Sequence, residues 1–110
     1  MDKKFDYKIW VDDIRPIPEG YDIFINSVWE FICLECGLKY GDRILINLDH
    51  DAGDYADMGG DYIEILRYLE RMVPNDWVKS NCVFKIHTLN PPARQMMLNI
   101  IERNGWVYED

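Results

Sequence analysis

The sequence predicts an α/β fold: a single doubly wound, mostly parallel five-stranded sheet, for which 2-1-3-4-5, a common strand order of doubly wound folds, is taken as the working order. Three observations predict it. Short β-branched and aromatic runs alternate with segments of helical periodicity, which implies parallel strands joined by crossovers, with helices on both faces. One run, Ile44-Leu-Ile-Asn-Leu48, is apolar almost throughout, as in a strand covered on both sides. The chain has 110 residues, 48% hydrophobic and 14% aromatic, which suits one domain spanning 1–110 with its own core.

The elements follow in order. Tyr7-Lys-Ile-Trp-Val11 reads as the first strand and stops at Asp12-Asp13. Pro16, Pro18 and Gly20 then forbid a regular helix, so the first crossover helix is degenerate. Tyr21–Ile25 is the second strand. Ser27 and Glu30 have capping-box spacing and open a helix that runs to about Cys36 before Gly37. Ile44–Leu48 is the third strand, ending at Asp49-His50-Asp51. Beyond Gly59-Gly60, Asp61 and Glu64 repeat the capping-box spacing, and Tyr62, Ile65, Leu66, Leu69 and Met72 share one helical face up to Pro74. Cys82–Ile86 is the fourth strand and ends at His87-Thr88. Asn90 caps a helix with prolines in its first turn, which turns Ala93, Met97, Ile100 and Ile101 inward and ends at Gly105. Trp106–Tyr108 makes a short last strand.

Composition excludes several roles. Twelve basic against twenty acidic residues give a net charge of −8, so no broad nucleic-acid surface is expected. A small phosphate ligand is still allowed, because one arginine or a divalent cation dominates locally. No apolar run reaches membrane-spanning length and none follows the N-terminus as a secretory signal would, so a cytoplasmic protein without a membrane partner is expected. Cys33, Cys36 and Cys82 are then reduced thiols; the Cys33/Cys36 spacing lacks a second pair or nearby histidine and reads as two buried core thiols.

Ligands of open parallel sheets bind beyond the carboxyl ends of the strands. Asp12-Asp13, Asp49-His50-Asp51, and His87-Thr88 with Asn90 all fall there, on strands that the order 2-1-3-4-5 makes neighbours. Two histidines across one crevice suit general acid–base chemistry, since imidazole titrates near neutrality. The carboxylates of Asp12, Asp13, Asp49 and Asp51 can orient those rings or hold Mg²⁺ or Mn²⁺. Arg15 and Arg94 can each grip a phosphate oxygen or pair with an acid on the surface. Gly59-Gly60 allows close approach of an anion, or is ordinary loop sequence.

An acid pair after strand one, an aspartate ending strand three and a hydroxyl residue after strand four resemble the phosphoacceptor receiver fold. Asp12 and Asp13 match its metal-binding pair, and Asp49 its acceptor. Its lysine at the end of strand five has no counterpart in Tyr108-Glu109-Asp110. The chain is more similar to the divergent cyclic-phosphate processing receiver domain. Val11-Asp-Asp-Ile-Arg-Pro16, Leu48-Asp-His-Asp-Ala-Gly53, Gly59-Gly60 and His87-Thr-Leu-Asn-Pro91, then Arg94 and Met97, follow that family's segments in order. Val11, Ala52, Thr88 and Pro92 depart from them without removing a polar group.

The resemblance implies a phosphoesterase acting on cyclic phosphates of RNA ends or small nucleotides. His50 and His87 would be its acid–base pair; Arg15, Thr88, Asn90, Arg94, Gly59 and Gly60 would bind substrate, and the four aspartates a metal. A module that binds a nucleotide or cyclic nucleotide without turnover would use the same crevice. A degenerate receiver that contacts proteins would expose aromatics such as Trp29, Trp77 or Trp106.

Overall fold

A computed structural model describes residues 4–38 and 41–109. In chain order its elements are β1 (Tyr7–Val11), β2 (Ile23–Ile25), α1 (Val28–Glu35), β3 (Ile44–Leu48), a 3-10 turn at Gly53–Tyr55, α2 (Ile63–Met72), α3 (Asn75–Asn81), β4 (Cys82–Ile86), α4 (Pro91–Arg103) and β5 (Val107–Tyr108). The five strands form one sheet in the order β2-β1-β3-β4-β5, and every pairing is parallel. The register sets Val11 beside Leu48 and Leu48 beside Ile86, so β1, β3 and β4 end level and deliver their following residues to one edge.

All four helices pack on one face of the sheet, not on two as the alternating pattern suggested. Alternation along the strands turns Ile9, Val11, Ile44, Ile46, Leu48, Phe84 and Ile86 to one side, where they form a continuous core with Phe31, Leu66, Leu69, Trp77, Val78, Met97 and Ile101 from the helices. The handedness of crossovers explains the asymmetry. The steps β2→β3, β3→β4 and β4→β5 run the same way across the sheet, and right-handed crossovers in one direction lay their helices on one face. Only β1→β2 runs the other way, and prolines occupy that connection. The second face is closed instead by Phe5 and Tyr21 over Leu45 and Val83, with Trp10 edge-on to Tyr21 at 5.3 Å.

Several local expectations hold in detail. Ser27 Oγ accepts the Glu30 N–H, while Glu30 reaches back to the Asn26 N–H, one residue beyond a standard capping box. Asn90 Oδ1 accepts the Ala93 N–H at the start of α4. Other details differ. Paired β2 is only three residues long, because Asp22 turns its carboxylate onto the Lys8 N–H. Asp61 does not cap α2; its carboxylate accepts the Ala52 N–H across the preceding loop, and Tyr62 takes the cap position. Met72 is 70% exposed, outside the buried stripe of that helix. Helix α3 begins straight after Pro74 and is anchored by buried Trp77 and Val78, a short element with too few turns to show periodicity. Cys33 and Cys36 are exposed, because α1 buries Val28 and Phe31 on its other side; Cys82 alone of the three is buried.

Candidate functional site

Asp12 organises the edge where β1, β3 and β4 end. It is 1% exposed, and four donors surround its carboxylate. Oδ1 accepts the backbone N–H groups of Ile14 (2.9 Å) and Arg15 (3.0 Å). Oδ2 faces His87 Nε2 at 2.9 Å and the Arg15 guanidinium at 3.4 Å. Burial works against the charge, but these hydrogen bonds outweigh it and hold the Asp12 pKa below the ordinary carboxylate value. Every lone pair of Asp12 thus has a partner, so this residue braces the site instead of offering itself to a ligand.

His87 is equally committed. Its ring stacks on Trp10 with centroids 3.8 Å apart and planes within 6°. Nδ1 lies 2.7 Å from Asn47 Oδ1, and the Asn47 amide meets the Tyr21 hydroxyl at 2.7 Å. An imidazolium would satisfy Asp12 and Asn47 together, but burial opposes that charge and holds the His87 pKa below its ordinary value despite the Asp12 carboxylate. The neutral ring donates from Nε2 to Asp12, and a half-turn of the Asn47 amide, exchanging Oδ1 and Nδ2, then gives Nδ1 a donor and lets the Tyr21 hydroxyl donate to Oδ1. In both forms neither ring nitrogen is left for a substrate.

The unfolded chain binds this proton near the ordinary value of 6.5 and the folded chain only at lower pH. The stability contributed by neutral His87 is therefore complete above that value and drains away as pH falls from it toward the folded pKa. Thermal melts should show Tm dropping from about pH 7 to about pH 5, and dropping less in His87→Gln. Equal slopes for the two proteins would remove His87 as the cause.

Asp13, Arg15, Asp49, Asp51, Thr88 and Asn90, with Ile14 and Leu89, line a crevice of about 400 Å³ at the strand ends. Burial, followed by the neighbouring Asp12 and Asp49 carboxylates, holds the Asp13 pKa above the ordinary carboxylate value. The buried Tyr62 phenol, bonded to the Asn26 carbonyl, is held up by burial and by the same three aspartates. Asp49 accepts the His50 N–H through Oδ1, and its Oδ2 lies 4.0 Å from the Arg15 guanidinium. Arg15 is pinned through one terminal nitrogen to Asp12 and the His87 carbonyl (3.3 Å). Its other guanidinium nitrogens make no hydrogen bond to the described residues.

The two histidines belong to different clusters. His87 groups with Asp12 and Asp49, and His50 with Asp51 and Asp61. His50 Nδ1 lies 2.7 Å from Asp51 Oδ1, which fixes the proton on Nδ1, and its Nε2 has no partner among the described residues. Thr88 and Asn90 reach the crevice as expected, whereas His50 is not among its lining residues and adjoins it through Asp51. Arg94 does not line it: its guanidinium donates to the Ile86 carbonyl (2.8 Å) and bonds the Tyr108 hydroxyl, tying α4 to β5. Gly59 and Gly60 also lie outside it. With φ of +111° and +95° they carry a turn, and a Cβ on Gly59 would fall 2.7 Å from the Val28 side chain, so that glycine serves close packing on α1.

Carboxylate oxygens suit a hard divalent cation such as Mg²⁺ or Mn²⁺. Among the described residues, however, the donor atoms that lie within 4.8 Å of one another belong to Asp12, Asp49 and His87 and to His50, Asp51 and Asp61, so Asp13, Asp49 and Asp51 would have to draw together around an ion. The geometric trio Asp12, Asp49 and His87 fits less well, because Asp12 and His87 are bonded to each other. Asn47 and Tyr21 were not picked out from the sequence; the signal present was one amide interrupting an apolar strand. The family model described as the cyclic-phosphate processing receiver domain matches residues 7–103. No curated protein and no solved structure gives a significant match.

Proposed function

The chain belongs to the cyclic-phosphate processing receiver family, and on that premise we propose that it hydrolyses a cyclic phosphodiester held in the strand-end crevice. One observation carries the reading: three carboxylates, Asp13, Asp49 and Asp51, share a recess with the single guanidinium of Arg15. Carboxylates so disposed repel a phosphate unless a cation joins them, and the Asp13 pKa, held above the ordinary carboxylate value by burial and then by the Asp12 and Asp49 carboxylates, is in keeping with that shortfall.

Asp13, Asp49 and Asp51 would hold Mg²⁺ or Mn²⁺, which when bound neutralises phosphoryl oxygens and makes phosphorus more electrophilic. Arg15 takes a phosphate oxygen through the nitrogens that Asp12 leaves unengaged. The Thr88 hydroxyl and the Asn90 amide supply donors on the opposite wall. His50, oriented by Asp51, accepts through Nε2 the proton of the water that attacks phosphorus. The ring P–O bond breaks, and the freed oxygen takes a proton from solvent. Water is consumed and a phosphomonoester remains. His87 braces Asp12, so acid–base work falls to one histidine and not to a pair.

The test is incubation with 2′,3′-cyclic mononucleotides, cyclic dinucleotides and cyclic-phosphate-ended RNA, with and without Mg²⁺ or Mn²⁺, read by mass spectrometry. A product heavier by one water, absent with His50→Ala, is expected. Substrates recovered intact but retained by the protein would make the crevice a binding module instead.

A further inference from the structure

A second recess lies beside the crevice on the same edge of the sheet. Asn26, Ser27, Trp29, Glu30, Cys33, Tyr55 and Met58 enclose about 360 Å³ between the first turns of α1 and the loop after β3. Its walls are mainly apolar. Trp29 is 56% exposed and Met58 42%, although the Trp29 N–H bonds the Met58 carbonyl and locks the two segments together. A concave apolar surface with an exposed indole on a rigid helix is ready to receive a flat ring.

No described residue lines both recesses, but a hydrogen bond and close packing link the wall between them. Asn26 lines the second one, donates to the Asp12 carbonyl at 3.3 Å and accepts the Tyr62 hydroxyl. Gly53, just before Tyr55, abuts Asp13 so closely that a Cβ there would fall 2.3 Å from the Asp13 carboxylate. A molecule with its phosphate at Arg15 can therefore extend over this wall. One polar group in the recess selects what arrives. Glu30 spends one carboxylate oxygen on the Asn26 N–H, which fixes its orientation, and the second oxygen has no partner among the described residues.

We propose that this recess is a nucleobase subsite, with the base stacked on Trp29 and an N–H-bearing edge, best supplied by guanine, bonded to Glu30. The inference rests on the cyclic-phosphodiesterase reading and names the part of the substrate beyond the phosphate. Guanine offers adjacent imino and amino donors that can share the free Glu30 oxygen, whereas uracil offers one and cytosine only an amino group.

The experiment compares guanosine 2′,3′-cyclic phosphate with glycerol cyclic phosphate, which has no base, in the wild type and in Trp29→Ala. Loss of one stacked base should raise KM for the guanosine substrate by roughly ten- to a hundredfold, with turnover of the glycerol ester unchanged. Equal KM values for the variant and the wild type on the guanosine substrate would overturn the subsite and leave the hydrolase standing. If neither ester is cleaved, the hydrolase reading fails, and guanosine alone decides the subsite. Saturable quenching of Trp29 fluorescence, absent in Trp29→Ala and weakened in Glu30→Gln, would support it, and no quenching would overturn it. Trp10, Trp77 and Trp106 are each buried to within 8% exposure, so Trp29 is the indole a ligand reaches.

Discussion

His50→Ala should lower kcat on a cyclic phosphodiester by about a hundred- to ten-thousandfold in the fraction that stays folded, and lower the melting temperature less than His87→Ala does. Its ring is 16% exposed, so some packing is lost with it, but among the described residues it makes one side-chain hydrogen bond, to an Asp51 that is 68% exposed, and no buried polar group loses a partner. His87→Ala should do the opposite. It takes one partner each from buried Asp12 and Asn47 and empties the space against Trp10, a loss of about 2–4 kcal/mol. Any fall in its activity should track the fraction unfolded and recover at low temperature. Parallel melts and initial rates check both. Two variants that stay folded and are equally inactive would restore the paired-histidine mechanism.

Chelation is expected to have an effect of comparable size. Removing divalent ions with EDTA should lower turnover by about a hundredfold or more, and Mn²⁺ or Mg²⁺ should restore it. The reason is electrostatic. Asp12 is neutralised locally by its donors, but Asp13, Asp49 and Asp51 outnumber the lone guanidinium of Arg15 in the crevice. Mn²⁺ binding followed by calorimetry should weaken in Asp13→Asn and Asp49→Asn and persist in Asp12→Asn, whose carboxylate is already saturated. Full activity in EDTA would show that Arg15 alone handles the phosphate charge.

Strand positions and the polar residues gathered at the strand ends were legible in the sequence, because apolar runs and the residues that stop them are local signals, while the strand order came from likeness to doubly wound folds of the receiver type. What depended on the path of a side chain was not. Arg94 lies close to Asn90 in sequence, yet its guanidinium turns to Ile86 and Tyr108. Both histidines follow strands, but Asp51 claims one and the Asp12–Asn47 pair the other. Asn47 was hidden in an apolar run whose single amide is the link between Tyr21 and His87. The one-sided arrangement of helices could have been read without coordinates. Once prolines remove the only crossover that steps backwards, handedness leaves a single face for the rest.

The strand order also bears on how the chain assembles as it emerges from the ribosome. Of these five strands the first made, β1, is an interior one; β2 adds to one margin, β3 to the other side of β1, and then β4 and β5 each add beside the strand before. No later strand has to push between two that are already joined. Each segment meets an open margin at the moment it is synthesised, so growth proceeds outward and never requires an earlier pairing to be undone.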